Sequence, residues 1–296
     1  MTPATPARGL IALLRLPYWL MTGGLSLLTA FAITKDPLSL SIQTILLIFF
    51  SMAFITSAGF AINDYFDRES DAVIKPKRPI PTGALSLKQV VAVSGVLFAL
   101  GLIMASFINW LSFAIIGVDS LLLLVYSYMV KRKSGFVANV LVGILTGTAF
   151  MYGQATITSP STVNLISLSL YPIAFGTIGG NVLRDILSKE GDSKIGYPTL
   201  PQKIGNVNSA KVAALFFTLT GVLAPLPFFL GNFTLYYLPL ILLWSVLLIY
   251  ASIRLVTSAS TMSNVRKYER IVTMSMILLP LALIIEALSA VIGGLV

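Results

Sequence analysis

Two polar strings interrupt an otherwise greasy chain, and both are rich in oxygen ligands. The first reads Asn63-Asp64-Tyr65-Phe66-Asp67-Arg68-Glu69-Ser70-Asp71, the second Arg184-Asp185-Ile186-Leu187-Ser188-Lys189-Glu190-Gly191-Asp192. Asp64, Asp67 and Asp71 recur at spacings of three and four, and Asn63 stands four before Asp67, so a helix would gather them on one face. Asp185 and Asp192 are seven apart, two helical turns, with Glu190 beside them. Like charges this close repel, and carboxylates next to lipid are costly unless ions or partners neutralise them. Mg²⁺ would offset the repulsion and keep water and phosphate oxygens as its other ligands. Two such clusters facing one another point to diphosphate chemistry at a membrane surface. The candidate metal ligands are Asn63, Asp64, Asp67, Asp71, Asp185 and Asp192. Taken alone, the second string reads equally well as a solvated loop.

Cations stand close by. Arg78, Lys131, Arg132 and Arg184 lie where apolar segments end. Arginine gives forked hydrogen bonds to phosphate and lysine gives a point charge. Lys131-Arg132-Lys133 as a group reads more readily as a topology anchor, whereas Arg78 and Arg184, beside the carboxylates, read as phosphate contacts. Tyr65, Phe66, Tyr126, Tyr128 and Tyr152 offer faces that would stabilise a carbocation, although each fits core packing as well. Asn139 lies inside an apolar segment, where an amide requires a partner. Asp119 and Glu286 lie deeper still, with Arg15 as a candidate partner for either.

The elements that must hold these residues follow from composition. The chain has 296 residues, 56% of them hydrophobic and only 10% charged. Apolar stretches near the roughly 20 residues needed to cross a bilayer recur throughout. Nine spans are expected, at about 9–33, 41–63, 89–109, 111–130, 136–157, 163–187, 209–231, 233–256 and 270–294. They are too long for barrel strands, so the expected fold is all-α: a bundle in a single integral-membrane domain, 1–296. Segment 9–33 is too long for the apolar core of a cleaved leader and should remain as a helix. Polar stretches at about 64–88 and 188–208 carry the acidic strings into Pro-containing cap loops that look loosely like a duplicated unit. If the N-terminus is cytoplasmic, nearly all Lys and Arg fall in cytoplasmic loops, Lys35 being the exception. That bias puts both acidic strings on the cytoplasmic face of the cell membrane and the C-terminus outside. Nucleic acid is a poor partner, because the cations bracket acids instead of forming an open patch. With no Cys and no His, thiolate and imidazole chemistry are excluded.

Asn63-Asp-x-x-Asp67-x-x-x-Asp71 followed by Lys77-Arg78-Pro79-Ile80-Pro81-Thr82-Gly83 resembles the first signature of the UbiA-type intramembrane prenyltransferases. Tyr126-Ser127 with Lys131-Arg132 and Asn139 resembles a further block. Arg184-Asp185, Glu190-Gly191-Asp192, Gly196 and Thr199-Leu200-Pro201 resemble the second signature. The resemblance implies nine helices around a central cavity open to lipid, and Mg²⁺-dependent transfer of a prenyl group from its diphosphate to an acceptor. It implies catalytic roles for Asp67, Asp71, Asp185, Asp192 and Arg78, and substrate contacts from Arg78, Lys131, Arg132, Arg184, Tyr126 and Asn139. Asn181 and Ser188 depart from the family, which commonly has acidic residues there; this leaves the second metal site with less charge. The Arg78-Pro79-Ile80-Pro81-x-Gly83 loop and the run Leu223-Ala224-Pro225-Leu226-Pro227 are similar to the ether-lipid branch, which moves geranylgeranyl from geranylgeranyl diphosphate to geranylgeranylglyceryl phosphate. Chlorophyllide and aromatic quinone precursors are the alternative acceptors. A cation-coupled transporter or a structural membrane subunit would be the competing classes, and neither predicts Mg²⁺-dependent binding of a prenyl diphosphate.

Overall fold

The computed structural model describes residues 5–158, 171–194, 196–258 and 261–293. All regular structure among the described residues is helical. Eight helices are long and apolar enough to cross a membrane: Pro6–Thr34, Ile42–Phe66, Leu87–Ser106, Trp110–Lys133, Gly135–Ala155, Leu200–Phe229, Leu238–Ser258 and Met262–Ala287. A further long helix, Phe175–Lys194, is packed among them. Its second half carries Arg184, Asp185, Lys189, Glu190, Asp192 and Lys194 and is too polar to count by composition. It corresponds to the expected span 163–187, of which 163–170 lie outside the described residues.

Labels follow the chain: α1 Pro6–Leu14, α2 Leu25–Thr34, α3 Ile42–Phe66, α4 Arg68–Ile74, α5 Leu87–Ser106, α6 Trp110–Val125, α7 Gly135–Ala155, α8 Phe175–Lys194, α9 Leu200–Leu223, α10 Leu238–Ser258, α11 Met262–Ser275 and α12 Leu278–Ala287. Each helix from α5 to α10 packs on the helix that follows it, α12 packs on α10, and α2 packs on both α7 and α12 and so joins the first half to the last. Polar side chains start the helices by accepting the free N–H groups of the first turn. Ser41 does this for α3, Asn109 for α6 and Ser134 for α7, and Ser86 with Gln89 forms a full capping box on α5. Inside lipid no hydrophobic force drives helices together, so small residues set how closely they approach. Gly153 of α7 lies so near the Ser26 carbonyl of α2 that any Cβ would collide with it. Trp244, Tyr237, Tyr268 and Phe217 fill one core, Ile48, Ile55, Ile116 and Tyr152 a second, and Leu13, Ala61, Leu85 and Val90 a smaller third. Leu100, Ile103, Leu121, Leu242 and Val246 stay exposed, as a lipid-facing shell requires.

The two polar stretches are more helical than cap loops would be. Asp67 ends α3, α4 begins at Arg68 with Glu69 and Asp71 in its first turn, and only 75–86 form non-helical turns before α5. Acidic side chains favour such a helix start. On the other side α8 stays helical to Lys194 and α9 begins at Leu200, Thr199 being its N-cap.

Candidate active site

The break between α3 and α4 decides where the first string points. Asp67 has non-helical torsions, φ −84° and ψ 1°, while its N–H still bonds to the Asn63 carbonyl at 2.9 Å. The carboxylates therefore do not form one continuous stripe. Asp64, Asp67 and Asp71 are all buried, at 3%, 5% and 3% exposure. Asp64 accepts from Arg15 at 2.6 Å and from Arg78 at 2.8 Å. Arg78 also bonds Asp71. Asp67 accepts from Lys131, from Asn63 at 2.9 Å and from the Tyr197 hydroxyl at 3.1 Å.

Asp67 and Asp71 line one chamber of about 360 Å³ together with Asp185, Asp192, Asn139, Ser188, Tyr126 and Tyr197. The structure thus brings the two strings together. Asp185 accepts from the Asn139 amide at 2.7 Å, which supplies the partner that amide needs inside α7. Asp192 accepts from the Ser188 hydroxyl at 2.6 Å. Asp64 instead lines a separate cleft with Arg15 and Arg78. Arg132 donates to the Phe66 carbonyl at 2.7 Å. Arg184 is exposed, pairs with Glu269 at 3.5 Å and donates to Asn181 at 3.2 Å. Neither arginine lines the chamber.

A second cavity, about 310 Å³, runs from the chamber into the bundle. Lys75, Tyr126 and Lys131 border both cavities. Its far walls are apolar, with Met52, Ile55, Leu123, Val142 and Leu145 among them, and Asp119 lies twelve residues along the span from Lys131. Twelve residues of helix cover about 18 Å, so the tunnel is deep. A π-helical turn at Tyr126–Val130, closed by the Lys131 N–H on the Tyr126 carbonyl, joins the two levels. Residues five apart on an α-helix point about 140° apart; the π-turn hydrogen-bonds residues five apart and brings Tyr126 and Lys131 onto the same walls.

Sequence reasoning missed three side chains here. Tyr197 sits in a Gly-Tyr-Pro turn that looked only structural, yet its hydroxyl also meets Ser70 at 3.2 Å. Lys75 lines both cavities, and its ammonium is held below the ordinary lysine range, first by burial and then by the charge of Arg78. Arg15 belongs to Asp64 and not to the buried carboxylates Asp119 or Glu286. Asp119 accepts from Thr148 at 2.7 Å, and Glu286 accepts from the Thr234 N–H at 2.9 Å and its hydroxyl at 2.7 Å, with Lys35 at 4.0 Å. Tyr152 belongs to the core, bonded to Ser51 at 2.5 Å, and Tyr128 stacks edge-on against Phe66.

The metal-ligating groups in the chamber are all hard oxygens, and the side-chain amide oxygen of Asn63, on the adjoining tunnel wall, is buried without a hydrogen-bond partner. Among the described residues no three carboxylates converge on one point. Mg²⁺ uses only one or two protein carboxylates and completes its shell with phosphate and water. The chamber's donors fit that ion.

The comparisons with known proteins agree with this geometry. The model of the UbiA prenyltransferase family matches residues 19–279. A digeranylgeranylglyceryl phosphate synthase of Natronomonas pharaonis is 35% identical over 233 residues, covering 78% of this chain and 81% of that protein. The enzyme of the same name from Methanocaldococcus jannaschii is 33% identical over 236 residues, covering 79% and 81%. A solved structure described as a digeranylgeranylglyceryl phosphate synthase in membranes superposes with a TM-score of 0.83 at 28% identity, over 96% of this chain and 99% of that one. A UbiA homologue from Archaeoglobus fulgidus, solved with GPP and Mg²⁺, shares the fold at a TM-score of 0.65 and 21% identity, over 93% and 99%. The family model spans the helices that carry both oxygen-rich strings and the tunnel, and the chain belongs to that family: it is a UbiA-family prenyltransferase.

Proposed function

We propose that this enzyme transfers a geranylgeranyl group from geranylgeranyl diphosphate to the free hydroxyl of geranylgeranylglyceryl phosphate, with Mg²⁺ held by Asp67, Asp71, Asp185 and Asp192. The observation that carries this reading is the shared wall between chamber and tunnel. Lys75, Tyr126 and Lys131 stand where a polar head would meet an apolar tail, which is the shape of a prenyl diphosphate. The relatives' names support the glycerophosphate acceptor.

Bound Mg²⁺ would neutralise charge on the diphosphate as it departs. Lys131 and Arg78 add fixed positive charge beside Asp67 and Asp71, where it is worth most because it needs no rearrangement during the reaction. The C1–O bond to diphosphate breaks with its electron pair staying on the phosphate oxygen. The allylic cation left behind is faced by Tyr126 and kept from water by the tunnel. The acceptor hydroxyl then forms the new C1–O ether bond, and its proton passes to the released diphosphate. Asn139 holds Asp185 in place. Lys and Arg crowd the chamber end of the bundle, at positions 75, 77, 78, 131, 132 and 133, which supports a cytoplasmic active site and N-terminus with the C-terminus outside.

The test is an acceptor panel. Purified enzyme, Mg²⁺ and labelled geranylgeranyl diphosphate are incubated with geranylgeranylglyceryl phosphate, aromatic quinone precursors or chlorophyllide. Transfer to the glyceryl phosphate is expected. Transfer only to an aromatic acceptor or to chlorophyllide would keep the chemistry and overturn the acceptor.

A further inference from the structure

Beside the chamber lies a third cavity of about 430 Å³, lined by Arg15, Tyr18, Asp64, Lys75, Lys77 and Arg78 among others. Four cations face one carboxylate there. Arg15 reaches the cleft from a left-handed backbone, φ 50°, a conformation uncommon for any residue but glycine. Such strain persists only where the surroundings hold it. Here the guanidinium lies 4.3 Å over the Phe60 ring and 2.6 Å from Asp64 Oδ1, the same oxygen that Arg78 takes at 2.8 Å. Asp64 thus fixes two guanidinium groups side by side, and Arg78 shares its charge with Asp71 as well, so the surplus comes from the two lysines. Lys75 and Lys77 add two more on the following turn.

The cleft is not isolated. Arg15, Lys75 and Arg78 also border the apolar tunnel, and Lys75 borders the carboxylate chamber as well. An anion in the cleft would therefore sit one side chain away from the diphosphate site, with apolar walls beside it. Lys77 lines the cleft but neither the tunnel nor the chamber, so this end of the cleft is free of the prenyl donor.

We infer that the cleft is a second anion site, which seats the phosphomonoester head of the acceptor and so presents the acceptor's hydroxyl toward C1 of the donor. The inference rests on the phosphorylated-acceptor reading above. It separates two phosphate sites that share Lys75: the diphosphate on the chamber side, the monoester between Arg15 and Lys77. Forked arginines and a surplus of positive charge suit a dianionic phosphate. Anionic lipid headgroups carry the same chemistry, and the experiment distinguishes the two.

Enzyme in nanodiscs of zwitterionic lipid would be given geranylgeranyl diphosphate and Mg²⁺ with either geranylgeranylglyceryl phosphate or its dephosphorylated alcohol. For Lys77→Gln the KM of the phosphorylated acceptor should rise about 10-fold or more, as expected for one lost charge-assisted hydrogen bond. The KM values of the alcohol and of the prenyl diphosphate should not move. Arg15→Lys should keep more of the phosphate preference than Arg15→Gln. An equal loss on both acceptors, or a rise confined to the prenyl diphosphate, would overturn the assignment. So would a KM that depends on added phosphatidylglycerol equally for both acceptors and loses that dependence in Lys77→Gln, since the cleft would then hold membrane lipid. Equilibrium binding of the labelled acceptors without donor separates this inference from the reaction. Lys77-sensitive binding of the phosphate form without turnover would uphold the cleft and sink the acceptor reading; binding insensitive to Lys77 would sink the cleft.

Discussion

Asp64→Asn tests whether the first string works as a metal ligand set throughout or divides its labour. Asp64 is 3% exposed and one oxygen takes Arg15 at 2.6 Å and Arg78 at 2.8 Å. The amide keeps the shape but removes the charge, so two guanidiniums that are 19% and 20% exposed face each other uncompensated. Removing one partner of a fully buried pair costs about 3–5 kcal/mol. Here the partly exposed guanidiniums and the remaining Arg78–Asp71 pair lower that to roughly 2–3 kcal/mol. Thermal unfolding in detergent should show the loss, and Asp64→Asn combined with Arg15→Gln should recover part of it, with a coupling of about 1–3 kcal/mol. The Mg²⁺ concentration for half-maximal turnover should stay near the wild-type value, because Asp64 does not line the chamber. Unchanged stability together with a manyfold higher Mg²⁺ requirement would refute the division and return Asp64 to the metal.

Asp67→Asn and Asp71→Asn should each abolish turnover while circular dichroism still reports a folded helical bundle; turnover in both variants would remove the metal role from α4 and its junction. Lys131→Met should weaken prenyl diphosphate binding by about 10- to 100-fold, the worth of a charge-assisted hydrogen bond, as read by donor KM; an unchanged KM would leave Lys131 as a mere partner of Asp67. Gly153→Val drives a side chain into the Ser26 carbonyl and should cost about 1–3 kcal/mol or more, visible as a lower unfolding temperature; wild-type stability would mean α2 and α7 can part at this point without penalty.

Sequence pattern reached the membrane architecture because spans have no choice but to be long and apolar. It singled out Asp67, Asp71, Asp185, Asp192, Asn139 and Lys131, which the structure gathers around one chamber, because charge and amide beside lipid stand out against a greasy background. What it could not read was the sharing of partners. A face argument for Asp64, Asp67 and Asp71 assumes an unbroken helix, and the break at Asp67 splits that face between a chamber and a cleft. Arg15 and Tyr197 lie 49 and 130 positions from the carboxylates they meet, a distance no local pattern spans. Arg132 and Arg184 look the same in sequence as Lys131 and Arg78. Only the packing of α3 and α11 reveals that Arg132 meets the Phe66 carbonyl and Arg184 meets Glu269.

The same packing explains why two strings that resemble a duplicated unit are not equivalent. Asp64, Asp67 and Asp71 each meet a protein cation: Arg15 with Arg78, Lys131, and Arg78. Asp185 and Asp192 meet an amide and a hydroxyl. A carboxylate bonded to neutral donors has no protein cation competing with a cation from outside, whereas one bonded to lysine or arginine already shares its field with the protein. The Asn181 and Ser188 departures lower the number of carboxylates in the second string, but the neutral partners of those that remain keep their charge available. The first string pays in the opposite way: its cations stand beside its acids, at the positions where phosphate oxygens would arrive. Under the proposed function Asp67 and Asp71 would share their charge between Mg²⁺ and the cations where phosphate oxygens would arrive, while Asp185 and Asp192 would face the metal without a competing protein cation; the asymmetry arises from which residues pack against each string, not from the acids themselves.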